Sequence, residues 1–340
     1  MGEYVVELRN VTKRFPGVVA LHNMQLAVKP GEIHGLIGEN GAGKSTLIKV
    51  LTGVHMADEG EIYVHGEKKV FKNPNESAAA GIACVYQELN IEKLLSVTDN
   101  IFINKWTKKG LLLDYDSMHK KAAEVMQSLG QDIDPRKAAG TFGMGVQQMI
   151  EIAKAVLIDA KMIIMDEPTS SLGEKEVKQL MATCRELKAR GVGILFVSHK
   201  LEELFELCDR VTVIRDGEFI ETRDIQDWTN DSLIASMVGR TLDNLFPKEF
   251  GTKGECMLKV EDLSIGGVLR NVSFEAYGGQ VLGLSGLVGA GRTETVRAVF
   301  GADPIDGGSI HVKGKEVHIK SPKQAIAAGI ALLTEDRKGQ

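Results

Sequence analysis

The chain has 340 residues, 43% of them apolar and 26% charged, with a formal net charge of −5 and a pI near 6.0. That length holds about two domains with sizeable cores, and the acidic balance excludes whole-chain attraction to nucleic acid while leaving a local basic patch open. No apolar run approaches the roughly 20 residues of a membrane span, the strand-like opening YVVELR leads to the expectation of no targeting signal, and Cys84, Cys184, Cys208 and Cys256 lack C-x-x-C pairing, so reduced thiols are expected rather than disulfides or a zinc site.

Taken in chain order, YVVELR, MQLAV and EIYVHG alternate as half-buried strands do. In contrast, IHGLI, GIACV, KMIIMD, GILFVS and RVTVIR are continuous apolar runs suited to a parallel sheet covered on both faces. Helical patterns alternate with this second set. DSMHKKAAEVMQSLG puts Met118, Ala122, Val125, Met126 and Leu129 on one stripe, and EKEVKQLMATCRELKAR does the same with Val177, Leu180, Met181, Cys184 and Leu187. Both stripes read as core. The alternation predicts a three-layer α/β sheet.

Between the run ending at Ile37 and the helix-like LIKVL stands GENGAGKST, Gly38 to Thr46, which fits G-x-x-x-x-G-K-[ST]. Gly41 and Gly43 let backbone N–H groups close around phosphate oxygens that a side chain would hold away, and the following helix aims its positive end at the same anion. Nucleotide contacts are therefore assigned to Gly38, Glu39, Asn40, Gly41, Ala42, Gly43, Lys44, Ser45 and Thr46. Lys44 would neutralise the outer phosphates, and the Ser45 hydroxyl would ligate Mg2+.

Asp166 ends the run KMIIM, where a parallel strand delivers a side chain to the ligand edge of a sheet. A carboxylate there can hold Mg2+ through water, and Glu167 beside it can orient and deprotonate an attacking water. Gln87, after GIACVY, can touch both the metal and that water, and His199, closing GILFVS, can hydrogen-bond a γ phosphate. Phe15 in KRFPG can stack on a purine ring; a core role for it carries equal weight.

Shifting the sequence by 248 positions lays Gly31, Gly38, Gly41, Gly43 and Gly53 on Gly279, Gly286, Gly289, Gly291 and Gly301, and AAGIA at 79–83 on AAGIA at 327–331. One ungapped shift over so long a stretch means a duplicated domain. The copies are unequal: Lys44 faces Arg292, and Ser45 faces Thr293. Arg has a bulkier, planar head that does not thread the loop as an ammonium does, so altered nucleotide chemistry is expected there. The second copy reaches Gln340 without matching residues 93–240, and an incomplete second domain is expected. The expected layout is a first domain over 1–245 with a helical insert at about 94–154, a linker at 246–256, and the second copy over 257–340.

In their order and spacing, GENGAGKST, VYQE, MIIMDEPTSSL and FVSHK resemble the Walker A, Q-loop, Walker B with D-loop, and H-loop of an ATP-binding cassette (ABC) ATPase. The tandem arrangement with a degenerate second loop resembles the ATP-binding subunits of bacterial monosaccharide importers. KGLLLDYDSM, DIDPR and QMIEIAKA look most like the galactose/methyl-galactoside group, with ribose, xylose and arabinose importers as relatives. The resemblance implies a P-loop NTPase with a mixed central sheet, an antiparallel β subdomain and a helical insert, using ATP and Mg2+. It implies integral-membrane permease partners, an extracytoplasmic sugar-binding protein reached through the complex, no nucleic acid, a cassette sandwich within or between chains, and a peripheral place on the cytoplasmic face of the bacterial membrane. Two departures stand out. Phe142, Gly143, Met144, Gly145 and Val146 replace the usual signature loop, and Gly173 fills a D-loop position often taken by Asp or Thr. Two other readings remain open on sequence: a soluble tandem-cassette ATPase acting on ribosomes or DNA, and a non-hydrolysing ATP-binding module.

Overall fold

The computed structural model describes residues 3–87, 89–110, 112–170, 172–239, 252–287 and 289–334. Contacts divide the chain into two compact units, 1–243 and 244–340. The expected linker lies outside the described residues as far as 251, and Cys256 already opens a strand.

In the first unit the elements run β1 (Val6–Phe15), β2 (Val18–Val28), β3 (Ile33–Ile37), α1 (Lys44–Leu51), β4 (Glu59–Val64), β5 (Glu67–Lys69), α2 (Pro74–Ala79), β6 (Ile82–Val85) and α3 (Val97–Phe102). They continue with the short hairpin β7 (Lys108–Lys109) and β8 (Leu112–Leu113), α4 (Tyr115–Ser128), α5 (Met144–Leu157), β9 (Met162–Asp166), α6 (Glu174–Ala189), β10 (Gly193–Val197), α7 (Leu201–Leu207), β11 (Arg210–Arg215), β12 (Glu218–Asp224) and α8 (Asn230–Val238). Ten strands form one sheet in the order β5-β4-β1-β2-β12-β11-β3-β10-β9-β6.

The two sequence patterns separate as expected. The alternating runs pair antiparallel, β1 with β2 and with β4. The continuous runs pair parallel: β11 with β3, β3 with β10, β10 with β9, and β9 with β6. All five residues of β3 and of β10 are buried, because both faces of this sheet are covered. One side packs Ile33, Ile37, Phe196 and Val211 against α6 and the helical segment; the other packs Leu36, Leu195 and Val197 with α1 and the antiparallel strands. Both helical stripes serve as core: Met118, Ala122, Met126 and Leu129 from α4, and Leu180, Met181, Cys184 and Leu187 from α6, are buried, with Val125 and Val177 half-buried against them.

Strands β1 and β2 extend well beyond the alternating stretches. Asn10 and Asn23 take left-handed backbone (φ 52° and 49°) where the register slips between Leu8 and Val11 and near Met24. Such bulges break the period of two that marks a strand in sequence. Strand β12 has no apolar run, yet it joins the two halves of the sheet, pairing antiparallel with β11 and parallel with β2 through Glu218 and His22.

The second unit holds β13 (Cys256–Ile265), β14 (Leu269–Tyr277), α9 (Arg292–Val299), β15 (Gly307–Val312), β16 (Lys315–Val317) and α10 (Pro322–Ala327). Its sheet order, β14-β13-β15-β16, repeats β2-β1-β4-β5. The bounds of α9, β15, β16 and α10 stand 248 residues after those of α1, β4, β5 and α2. Among the described residues the shared pattern of elements does not include the parallel strands. Residues 281–285, the counterpart of β3, form no strand, and Val281 and Leu287 are 101% and 86% exposed. Among the described residues of this unit, nothing pairs with them.

Phe196 is fully buried in the central parallel strand. Phe196→Ala should cost about 3–5 kcal/mol, read in urea as a lower midpoint at an unchanged slope.

Candidate functional site

Strand β3 runs out at Ile37 into a loop whose shape is set by what lies beneath it. A Cβ on Gly38 would stand 2.3 Å from the Ile214 carbonyl oxygen, so the chain passes there only as glycine. Gly43, at φ 101°, turns the backbone into α1, and its Cα side rests against Ala20 and Gly217. The loop closes on itself through Ala42 N–H donating to the Glu39 carbonyl at 3.1 Å, and Gly217 N–H donates to the Ala42 carbonyl at 3.1 Å. Lys44 is buried, and its ammonium folds back to donate to the carbonyls of Gly38 (2.6 Å) and Glu39 (3.0 Å).

This loop floors a cleft of about 530 Å³. Asn40, Gly41, Gly43, Lys44, Ser45 and Thr46 line it from the loop and α1, and Gln87, Asp166 and Glu167 line it from the ends of β6 and β9. Gly38 and Ala42 are buried under the loop, and Glu39 meets Lys44 only through its carbonyl. The sequence order of these residues is spread over more than a hundred positions. Parallel pairing gathers them.

Glu167 is the meeting point. Its Oε2 accepts from Gln87 Nε2 at 3.2 Å and lies 3.4 Å from His199 Nδ1. Its own N–H donates to the Val197 carbonyl at 2.9 Å, which ties β9 to β10 beyond the last ladder pair, Asp166 with Val197. Glu167 takes a left-handed backbone, φ 46°, uncommon for a non-glycine residue and sustained only where surroundings over-determine it. His199 reaches this group from an exposed position.

Burial pushes the Asp166 carboxyl above the ordinary carboxylate range, and neighbouring Glu167 adds to the rise; Lys44 and Lys49 pull the other way. Burial likewise pushes the Lys44 ammonium below the usual lysine range, opposed by Glu167 and Asp166. The cleft therefore holds a cation and two acidic groups, each partly stripped of water. Ser45, Gln87 and Asp166 face it with hydroxyl, amide and carboxylate groups, hard oxygen donors of the kind that suit Mg2+. Among the described residues there is no cluster of three or more His, Cys, Asp or Glu that could cage a metal without a ligand's help.

Residues 21–170 match the family described as ABC transporter. A ribose import ATP-binding protein of Geobacillus kaustophilus is 45% identical over 336 residues, 98% of this chain and 68% of that protein. The chain belongs to the ABC transporter ATP-binding proteins. A galactose/methyl galactoside import ATP-binding protein of Sodalis glossinidius is 44% identical over 339 residues, covering 99% of this chain and 67% of that one. The chain thus spans about two thirds of the length of the curated relatives it matches. Among solved structures, the ADP conformation of an ATP-binding cassette of an ABC transporter superposes with a TM-score of 0.61 at 25% identity, over 72% of this chain and 100% of that one.

Phe15 is not among the residues lining the cleft. Its ring is half-buried, edge-on to His55 at 5.1 Å and beneath the Lys13 ammonium at 5.5 Å. Its cross-strand partner Val18 lines the cleft instead, with Val19 and Ala20. Asp216 and Gly217 also line it, residues that sequence reading left out. Both have positive φ, 51° and 82°, and form the β11–β12 turn that an Asp-Gly pair between two strands announces. The altered signature segment starts α5: Gly143 is its cap residue, and Gly145 N–H donates to Glu176 Oε1 at 3.2 Å. Glu176 Oε2 accepts from Gly173 N–H at 2.9 Å, so one carboxylate holds both departures from the family pattern.

Because the folded state raises the affinity of Asp166 for its proton, the linked stability is present at low pH and lost as pH climbs through the folded value. At neutral pH the ionised group is then a net cost. Asp166→Asn should raise stability there by about 0.5–2 kcal/mol, a rise of about 1–8 °C in Tm, and the gain should vanish at pH values where Asp166 is protonated; thermal melts across pH check both points.

Proposed function

We propose that the first unit binds ATP with Mg2+ and hydrolyses it as the motor subunit of a monosaccharide importer. The observation that carries this is the convergence of Gln87 and His199 on Glu167 at the edge of the cleft that Lys44, Ser45 and Asp166 share. In this reading the N–H groups of residues 38–46 cradle the phosphates, and Lys44 exchanges its loop carbonyls for phosphate oxygens. Glu167 accepts a proton from the attacking water, held in position by its Gln87 and His199 contacts. Ser45, Asp166 and Gln87 would hold Mg2+, which would supply neutralisation of the developing phosphate charge when bound. Val18 and Val19, both exposed and lining the cleft, offer apolar contact for the adenine, next to Phe15, the cross-strand partner of Val18.

The proposed partners follow from the relatives' names. Both ribose and galactose/methyl galactoside import proteins stand at 44–45% identity, so the sequence preference for galactose has no support over ribose. Among the described residues no helix is long and apolar enough to cross a membrane. A motor of this kind acts by docking on membrane permease subunits at the cytoplasmic face, with a sugar-binding protein beyond them. The helical segment over α3, α4 and α5, beside Gln87, is the proposed docking region. Arg292 in place of Lys44 makes the second loop the weaker of two nucleotide sites.

With ATP and Mg2+, Glu167→Gln should lower turnover by about 10²-fold or more while leaving ATP affinity within roughly twofold. Lys44→Ala should lose ATP binding itself. A Glu167→Gln protein that hydrolyses ATP as fast as wild type would leave only a non-hydrolysing binding module.

A further inference from the structure

Glu203, on α7, is one of the few buried carboxylates of the first unit, 6% exposed, and has no place in the cleft lining. Its Oε2 accepts two hydrogen bonds, from Thr169 Oγ1 at 2.9 Å and from Ser198 Oγ at 2.7 Å. Its Oε1 is paired with Lys200 Nζ at 3.0 Å. Thr169 and Ser198 are each 2% exposed. Ser198 also accepts from the Lys200 N–H at 3.0 Å, closing the turn on which His199 sits.

The positions of these partners give the arrangement its meaning. Thr169 is two residues beyond Glu167, and Ser198 is next to His199. One oxygen atom therefore fastens together the two turns that carry the carboxylate and the imidazole. Glu167 needs such fastening: its left-handed backbone is strained, and a freed 166–170 turn would relax toward ordinary φ and carry the side chain away from Gln87 and His199. A buried acceptor with two hydroxyl donors and an ammonium is a short, fully occupied clamp.

We infer that Glu203 is a positioning residue for hydrolysis, holding Glu167 and His199 in mutual register from outside the cleft. The inference rests on the hydrolytic reading of the site. It gives Glu203 an effect on kcat and none on nucleotide affinity, because the phosphate loop is not among its partners.

The test uses the whole chain with ATP and Mg2+, measuring turnover, ATP affinity and thermal melting for Glu203→Ala, Glu203→Gln, Thr169→Val and Ser198→Ala. Glu203→Ala should lower kcat about tenfold or more with affinity kept within roughly twofold, since a displacement of about 1 Å at reacting groups can cost as much as 10²-fold. Thr169→Val and Ser198→Ala, each removing one hydroxyl, should lower kcat by a smaller factor without unfolding the chain. Glu203→Gln, whose amide oxygen still accepts from both hydroxyls, should recover most of the loss. Thr169→Val added to Glu203→Ala should bring little further loss, because both remove the same clamp. A Glu203→Ala protein with wild-type kcat, affinity falling in step with kcat, or losses that multiply in the double variant would overturn the inference while leaving the hydrolytic reading intact. Turnover that survives Glu167→Gln, or is absent from the wild type, would remove that reading and this inference with it.

Discussion

Four parallel strands, β6, β9, β10 and β3, end along one edge of the sheet, and the register of their pairing decides which side chains share a cleft. Val197 stands opposite both Leu36 and Asp166, so the ends of β3, β10 and β9 are level. The phosphate loop, the acidic pair and His199 leave these ends within a residue or two. A slip of one residue in β9 would turn Asp166 and Glu167 to opposite faces. Because β3 and β10 are buried on both faces, side-chain alternation alone does not select this register; it is pinned at the strand ends, where Ile194 N–H donates to the Glu32 carbonyl at 2.8 Å and Glu167 N–H donates to the Val197 carbonyl at 2.9 Å. The geometry of the cleft thus depends on backbone pairing at the ends of the strands beneath it.

Electrostatics then shape what the edge can do. Lys44, Asp166 and Glu167 are brought together where water is scarce, and each alters the proton affinity of its neighbours. The Lys44 ammonium is satisfied by two backbone carbonyls, weak partners for a full charge compared with anionic oxygens. A phosphate group entering the cleft would compete favourably for that ammonium. The same logic bears on the acidic pair: Asp166 and Glu167 repel one another, and Lys44 and Lys49 offset part of that repulsion.

Much of this was legible in the sequence because the strongest signals are local. The continuous runs marked the parallel strands, the glycine spacing marked the loop, and acidic or polar residues at strand ends marked the edge. What escaped depended on distant partners. Strand β12, EFIETRD, has no period to announce it; it becomes a strand because β11 and β2 flank it. Its turn residues Asp216 and Gly217 reach the cleft only through that placement. For Phe15 the sequence leaves base stacking and a core role equally open; its ring is edge-on to His55 and beneath the Lys13 ammonium, contacts that depend on the bulged β1–β2 hairpin and the α1–β4 connection.

The second unit separates local from collective determinants within one chain. Gly289 and Gly291 keep positive φ, 82° and 83°, close to Gly41 and Gly43 at 88° and 101°, and α9 starts from Gly291 as α1 does from Gly43. The loop's turn therefore belongs to its own glycines and the helix it opens. The strand leading into it behaves differently: residues 281–285 are exposed and unpaired among the described residues, while their counterparts in β3 are wholly buried between β10 and β11. An acidic pair and a histidine reach a phosphate loop only on strands that flank it. The loop's own residues set its turn, while in the first unit the parallel pairing of β3, β10 and β9 is what sets Asp166, Glu167 and His199 beside it.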